Sequence, residues 1–295
     1  MFTAVLLTHP SRPALDGATT RAVRDAWGGG PVRWLRGGVA AEFDMPAARD
    51  PRPVREGLAG VDVNVVPARG RRKRLLLADM DSTMIAQECI DELAAEAGVG
   101  DRVAEITARA MDGALDFEAA LRERVALLGG LDAAVIDRVL ADRITPTPGA
   151  ATLVATMRAQ GARAALVSGG FTAFTAVVAR RLGFHSHRAN VLEVEDGRLT
   201  GRAREPILGR EAKVAELRRL AAETGIGAAD VLAVGDGAND LAMLGEAGMG
   251  VALHAKPSVR AHAALVVDHG DLTALLHLQG YREAEFVRPA DGWEG

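Results

Sequence analysis

Two aspartates, Asp79 and Asp81, follow the apolar run Leu75-Leu76-Leu77-Ala78 in the stretch LLLADMDSTMIAQE. Ionised and dry, they would repel each other, so a cation sits between them or one of them holds a proton. Two further polar stretches close apolar runs in the same way. SGG at 168–170 follows the run 164–167, and GDGAND at 235–240 follows the run 231–234. In open parallel sheets the carboxyl ends of the strands form the ligand crevice. If these runs are neighbouring strands, Asp79, Asp81, Ser168, Asp236 and Asp240 converge in one pocket.

Such a cluster needs a hard cation, and oxygen ligands without histidine or cysteine beside them point to Mg²⁺. The glycines beside Ser168 free backbone N–H groups for an oxyanion, and Lys213, in a helical pattern, adds a positive charge. Metal, lysine and amide donors around acceptor oxygens describe a phosphoryl-transfer site. One aspartate of the pair can attack phosphorus, since carboxylates form aspartyl-phosphate intermediates. The other then protonates the departing oxygen and later takes a proton from attacking water.

The elements that must position these groups alternate. From Leu75 onward, strand signals at 75–78, 164–167, 231–234, 250–253 and 265–267 are separated by helical patterns. In AKVAELRRLAAETG, for example, Val214, Leu217 and Ala221 share a face before Gly225. This reads as α/β, a doubly wound parallel sheet covered on both faces. Residues 86–145 break the alternation with helical patterns only, and Pro146, Pro148 and Gly149 mark its end. A helical insertion there lies over the first strand's end as a lid. Residues 1–70 read as a small N-terminal α/β unit: strand, helix, two strands, helix, strand. The basic run Arg69-Gly70-Arg71-Arg72-Lys73-Arg74 reads as a solvated linker to the unit spanning 71–281, and 282–295 as a tail whose stretch FVRPADGWEG, 286–295, is frayed.

The 295 residues are 48% hydrophobic, enough for a sizeable core, and the net charge of −4 argues against nucleic acid as a partner. The single cysteine, Cys89, excludes an internal disulfide and fits a reducing cytoplasm. No apolar stretch reaches membrane-spanning length. Cytoplasmic localisation is therefore expected. The oligomeric state stays open, a homodimer being one form it can take.

In this order, DMDST, AMDGALDFEAALRERV, VSGGF, Lys213 and VGDGANDLAM resemble the haloacid dehalogenase superfamily of aspartate-nucleophile phosphatases, and within it the branch that hydrolyses phosphoserine. The resemblance covers roughly 71–281 and implies a Rossmann-like core with a helical cap. It makes Asp79 the nucleophile and Asp81 the acid and base, with Asp81 reaching Mg²⁺ through its backbone carbonyl. It also gives Asp236 to the metal, with Asp240 supporting the metal shell, and Ser168, Gly169, Lys213 and Asn239 to phosphate. Glu88 and Arg124 fall to the substrate amino acid, with Met111 and Phe117 lining the lid. The chemistry agrees: Glu88 can pair with an ammonium and Arg124 can fork onto a carboxylate. The N-terminal unit resembles the amino-acid-binding, ACT-like domains found beside such phosphatases.

Taken singly, each signal has an ordinary reading. D-x-D can be a solvated turn, SGG a loop, Lys213 a solvated helix residue, and Met111 and Phe117 core. Glu88 is an acid favoured near a helix N-terminus, and Arg124 half of a surface ion pair. The G-D-G pattern is not a dinucleotide fingerprint, because Asp240 stands at its third glycine. His185 and His187 lack further ligands nearby, and Cys89 reads as pocket wall. The rival functions are turnover of another small phosphate monoester, transfer of phosphoryl to an alcohol, and an amino-acid sensor built on the N-terminal unit.

Overall fold

The computed structural model describes residues 1–111, 115–289 and 293, and of Met111 the backbone only. The expected lid role of the Met111 side chain thus lies outside the described residues. The N-terminal unit runs β1 (Phe2–Leu7), α1 (Gly17–Trp27), β2 (Arg33–Arg36), β3 (Ala40–Met45), α2 (Arg52–Gly57) and β4 (Asp62–Pro67). Its sheet has the order β2-β3-β1-β4, with β1 antiparallel to both β3 and β4. This is the βαββαβ arrangement of a split β-α-β unit. Helix α1 starts where the Asp16 carboxylate accepts the Thr19 N–H at 2.6 Å, and it stops at left-handed Gly28. Because side chains alternate along a strand, β1 serves two cores. Ala4 and Leu6 pack with Val23, Trp27 and Phe43, whereas Val5 and Leu7 join the core of the second unit.

That second unit opens with β5 (Leu75–Ala78), and the helices α3 (Cys89–Glu96), α4 (Gly100–Met111), α5 (Phe117–Ala126) and α6 (Val135–Asp142) follow. Next come α7 (Ala150–Ala159), β6 (Arg163–Phe171), α8 (Thr172–Leu182), β7 (Ser186–Asn190), β8 (Leu192–Glu195), β9 (Arg198–Ala203) and α9 (Arg210–Thr224). The chain closes with β10 (Val231–Gly235), α10 (Leu241–Glu246), β11 (Met249–Leu253), α11 (Pro257–Arg260), β12 (Leu265–Val267) and α12 (Ala274–Leu278). The large sheet has the order β12-β11-β10-β5-β6-β7, parallel throughout. Leu75 and Leu77 of β5 face Leu217, Leu220 and Met243; Leu76 and Ala78 face Leu153, Phe174 and Leu275. A strand buried on both faces needs an unbroken apolar sequence. Each buried leucine contributes roughly 2 kcal/mol.

Helices α3 to α6 leave and rejoin the core at one point. Ile85 bridges Pro146, Ala86 N–H donates to the Thr145 carbonyl at 3.0 Å, and Thr147 N–H donates to the Met84 carbonyl at 3.0 Å. This helical cap therefore sits beside the end of β5. The hairpin β8–β9 supports it, since Gly130 N–H donates to the Leu199 carbonyl at 2.8 Å.

Two expectations are corrected. The basic run is not a solvated linker through its length. The Arg71 guanidinium is buried and bonds Glu42 of β3 at 2.7 Å and the Leu278 carbonyl at 2.9 Å. Lys73 Nζ donates to the carbonyls of Gly70 and Ala229, both at 2.7 Å, and Arg72 stacks 4.1 Å from the Tyr281 ring centroid. Arg71 thus fastens the two units, while Lys73 and Arg72 hold the run to the second one, so their charge is spent on the protein itself. Nor is the tail frayed up to residue 289. Phe286 packs 5.0 Å from the His277 ring, and Val287 N–H donates to Thr156 Oγ1 at 2.8 Å. Among the described residues no helix is long and apolar enough to cross a membrane.

Candidate active site

The sheet order explains the convergence. Because β5 lies between β10 and β6, Asp79, residues 168–170 in the last part of β6 and residues 235–240 at the end of β10 stand side by side. SGG thus belongs to the strand, at an irregularity in its pairing with β7, and does not follow it. Asp79 N–H donates to the Val234 carbonyl at 3.0 Å, tying its backbone to β10. Buried Lys213, from the first turn of α9, bonds Asp79 Oδ1 at 2.8 Å and Asp240 Oδ1 at 2.6 Å. Gly235 has to be glycine, since a Cβ there would overlap the Asp240 carboxylate.

Carboxylate oxygens of Asp79, Asp236 and Asp240 lie within 4.8 Å of one another. Burial and then Asp240 push the Asp79 pKa well above the usual carboxylate range, although Lys213 opposes them. Burial, Asp240 and Glu88 raise Asp236 to about 6. A buried oxygen-only cluster with more negative charge than one lysine can balance fits a hard divalent cation. The Asp81 carboxylate is not part of this cluster. It accepts the Cys89 N–H at 3.0 Å and the Ser168 hydroxyl at 3.1 Å.

Asp81 sits in a different environment. Burial and then Glu88 raise its pKa to about 6, so it can hold a proton close to neutrality. Gly170 N–H fixes Ser168 Oγ at 2.8 Å, and a Cβ at Gly170 would stand 2.5 Å from Asp81 Oδ2. The chain then turns sharply at Ser82, whose φ of 54° is uncommon for a residue with a Cβ. That turn lets Ser82 Oγ donate to Glu88 Oε1 at 2.7 Å and Thr83 Oγ1 donate to Asp236 Oδ1 at 3.0 Å.

A cavity of about 600 Å³ joins these groups to the cap. Asp79, Asp81, Glu88, Phe117, Arg124, Ser168, Gly169, Asp236 and Asn239 all line it. Phe117 lies against the Gly169 backbone, which has no Cβ to obstruct it. Arg124 donates from Nε to the Ala120 carbonyl of its own helix at 3.2 Å. Among the described residues no carboxylate comes within 4.0 Å of Arg124, so its fork is open to a ligand. Burial lowers its pKa from the ordinary value, and Asp91, Glu88 and Asp81 work against that fall. Arg210 and Lys256 also line the cavity. Sequence reasoning missed both, because a lone exposed cation carries no spacing signal. Cys89 is buried behind Asp81, and His185 and His187 hydrogen-bond within the fold, to Ala164 N–H and the Thr175 hydroxyl.

A Rossmann-like core that presents a buried aspartate, a lysine and an acidic cluster beneath a helical cap defines a class of hydrolase. The chain belongs to the haloacid dehalogenase-like hydrolase family, whose pattern matches residues 76–245. Among its relatives is a phosphoserine phosphatase of Streptomyces coelicolor, 46% identical over 261 residues. That match covers 86% of this chain and 63% of the relative, so the chain spans under two thirds of that protein's length. The phosphoserine phosphatase of Lactococcus lactis is 45% identical over 204 residues, covering 69% of this chain and 94% of the relative. Among solved structures, a haloacid dehalogenase family hydrolase from Salmonella enterica serovar Typhi aligns with a TM-score of 0.84 and 32% identity. It covers 94% of this chain and 98% of its own, and therefore includes the N-terminal unit. A phosphoserine phosphatase solved as a phospho-aspartyl intermediate analogue aligns with a TM-score of 0.66 and 41% identity, over 70% of this chain and 98% of its own.

Proposed function

We propose that the protein hydrolyses O-phospho-L-serine to L-serine and phosphate, the closing step of serine synthesis. One observation carries the choice of substrate: the open guanidinium of Arg124 and the carboxylate of Glu88 line the same cavity as Asp79. They suit a substrate that bears both a carboxylate and an ammonium, and they would have no use with a sugar phosphate. The names of the relatives support the same substrate.

In the reaction, a carboxylate oxygen of Asp79 attacks phosphorus while Asp81 gives its proton to the departing serine oxygen. Water then attacks the aspartyl phosphate, and Asp81 takes the proton back. Ser168, Gly169, Lys213 and Asn239 hold the phosphoryl oxygens. Asp79, Asp236 and the Asp81 backbone carbonyl would hold Mg²⁺, with Asp240 behind them. The ion supplies charge to the phosphoryl oxygens and keeps the attacking carboxylate ionised. Phe117 closes the cap side against water. The βαββαβ topology of the N-terminal unit agrees with an ACT-like regulatory role.

Arg124→Ala tests the substrate. Losing one partner of a desolvated charge pair typically costs about 2–5 kcal/mol, which lowers kcat/KM for phosphoserine by roughly 30- to several-thousand-fold. A small aryl phosphate lacks the carboxylate, and its turnover should change little. If the ratio between the two substrates stays constant, the cap does not read an amino acid.

A further inference from the structure

The cavity has in its lining two cations for which the catalytic scheme has no use. Its described lining holds five carboxylates, Asp79, Asp81, Glu88, Asp116 and Asp236, against three cations. Arg124 is committed to the far end of the substrate, and the Lys213 charge is taken up by Asp79 and Asp240. A phosphate dianion approaching the cavity gains from any cation that the inner carboxylates do not already hold. The two remaining cations are Lys256 and Arg210, both exposed. Among the described residues neither has a carboxylate within 4.0 Å.

Both are anchored at their backbones rather than at their charges. Lys256 follows β11 and precedes Pro257, the first residue of α11, and its N–H donates to the Asp236 carbonyl at 3.3 Å. Its charge is felt by Asp236 on the core and by Asp91 on the cap, so it stands at the seam between them. Arg210 opens α9 next to Gly209, where the Phe117 ring rests. Because Phe117 also lies against Gly169, Arg210 stands on the side of the cavity formed by the end of β6. Both line the cavity on backbones fixed by the core, with side chains that pair with no carboxylate among the described residues.

We propose that Lys256 and Arg210 form an outer capture site for the phosphate dianion, which draws in substrate before Lys213 and the catalytic loops take it over. The site also offers the released phosphate its first stop on the way out. This extends the phosphatase reading and is independent of which monoester the cap selects.

The test is steady-state kinetics of Lys256→Ala, Arg210→Ala and the double variant in full-length enzyme with Mg²⁺, at low and high ionic strength. Phosphoserine and an aryl phosphate serve as substrates, and inorganic phosphate as inhibitor. At low ionic strength the double variant should lose about tenfold in kcat/KM for both substrates alike, carried by KM. Inhibition by inorganic phosphate should weaken in parallel. High salt should bring the double variant and the parent together, because screening removes what the mutations removed. Lys256→Arg should behave as the parent, and Lys256→Glu should fall below the alanine variant. A loss that resides in kcat, or that persists at high salt, overturns the proposal. So does a loss confined to phosphoserine, which would place the two cations on the amino-acid end. If phosphoserine proves not to be the substrate, the aryl phosphate and inhibition arms still decide the matter.

Discussion

Asp79 and Asp81 share a sequence motif but not an environment. Asp79 ends a strand and faces Lys213 and the acidic cluster, whereas Asp81 faces Ser168, the Cys89 amide and Glu88. A proton held at a pKa of about 6 suits a group that must give it up and recover it in each cycle. Asp81→Asn keeps the size and the bond from Cys89 but cannot transfer a proton. Single-turnover phosphorylation by phosphoserine should then slow by about 10²- to 10⁴-fold. An aryl phosphate, whose leaving group needs little protonation, should slow much less in the same step. Equal slowing with both substrates would remove Asp81 from that role. The residues proposed as catalytic stand out in the sequence because they sit at fixed offsets from strand ends. Arg210 and Lys256 do not, since only the folded cavity relates them to anything else.

At the scale of elements, three chain segments meet at the carboxyl end of the sheet, and glycine makes two of them possible. Gly170 lets the chain after Ser168 pass under Asp81. In Gly170→Ala the new Cβ would lie 2.5 Å from Asp81 Oδ2 and 3.0 Å from Ser168 Oγ. Overpacking of this kind costs about 1–3 kcal/mol. The variant should remain folded by circular dichroism, with Tm lowered by a few degrees, yet lose most turnover because Asp81 and Ser168 both move. Wild-type kcat in that variant would show that their placement tolerates displacement. The strands that carry the site were readable because burial on both faces demands unbroken runs such as Leu75-Leu76-Leu77. Strands β7, β8 and β9 were not recognised. SHRAN, LEVE and RLTGRA mix charges with few apolar positions, as suits a sheet edge and a two-stranded hairpin. Their pairing is decided by tertiary partners, not by local pattern.

For the whole molecule, the question is what locks the N-terminal sheet to the parallel one. Strand β4 lies beside the edge strand β12, and the buried Asn64 carboxamide bonds both the carbonyl and the N–H of Val266, at 2.8 and 2.9 Å. One side chain thereby completes an edge that would otherwise invite pairing. Asp62 gathers the amides of Asp268, His269 and Gly270, and the buried Arg71–Glu42 pair closes the opposite side. His277 lies at this junction, where its backbone carbonyl accepts from Arg71 at 3.1 Å. Its Nδ1 is 3.0 Å from the Tyr281 carbonyl, which can only accept, so Nδ1 carries the proton and donates. Nε2 is buried with no partner among the described residues, so a second proton there would be a buried charge without a hydrogen bond. Burial accordingly lowers the His277 pKa from 6.5 to about 4. Between those values the unfolded chain binds a proton that the folded protein refuses, so stability falls as pH drops through this window and is full above it. The shift corresponds to about 3 kcal/mol. Asp81 and Asp236 have raised values and act with the opposite sign, so the comparison must be internal. Urea unfolding of the protein and of His277→Gln, whose amide can still donate to Tyr281, should give curves that diverge as pH falls from 6.5 to 4. The parent should lose about 3 kcal/mol relative to the variant across that range. Parallel curves would mean that His277 is protonated in the folded protein and that the junction accommodates its charge.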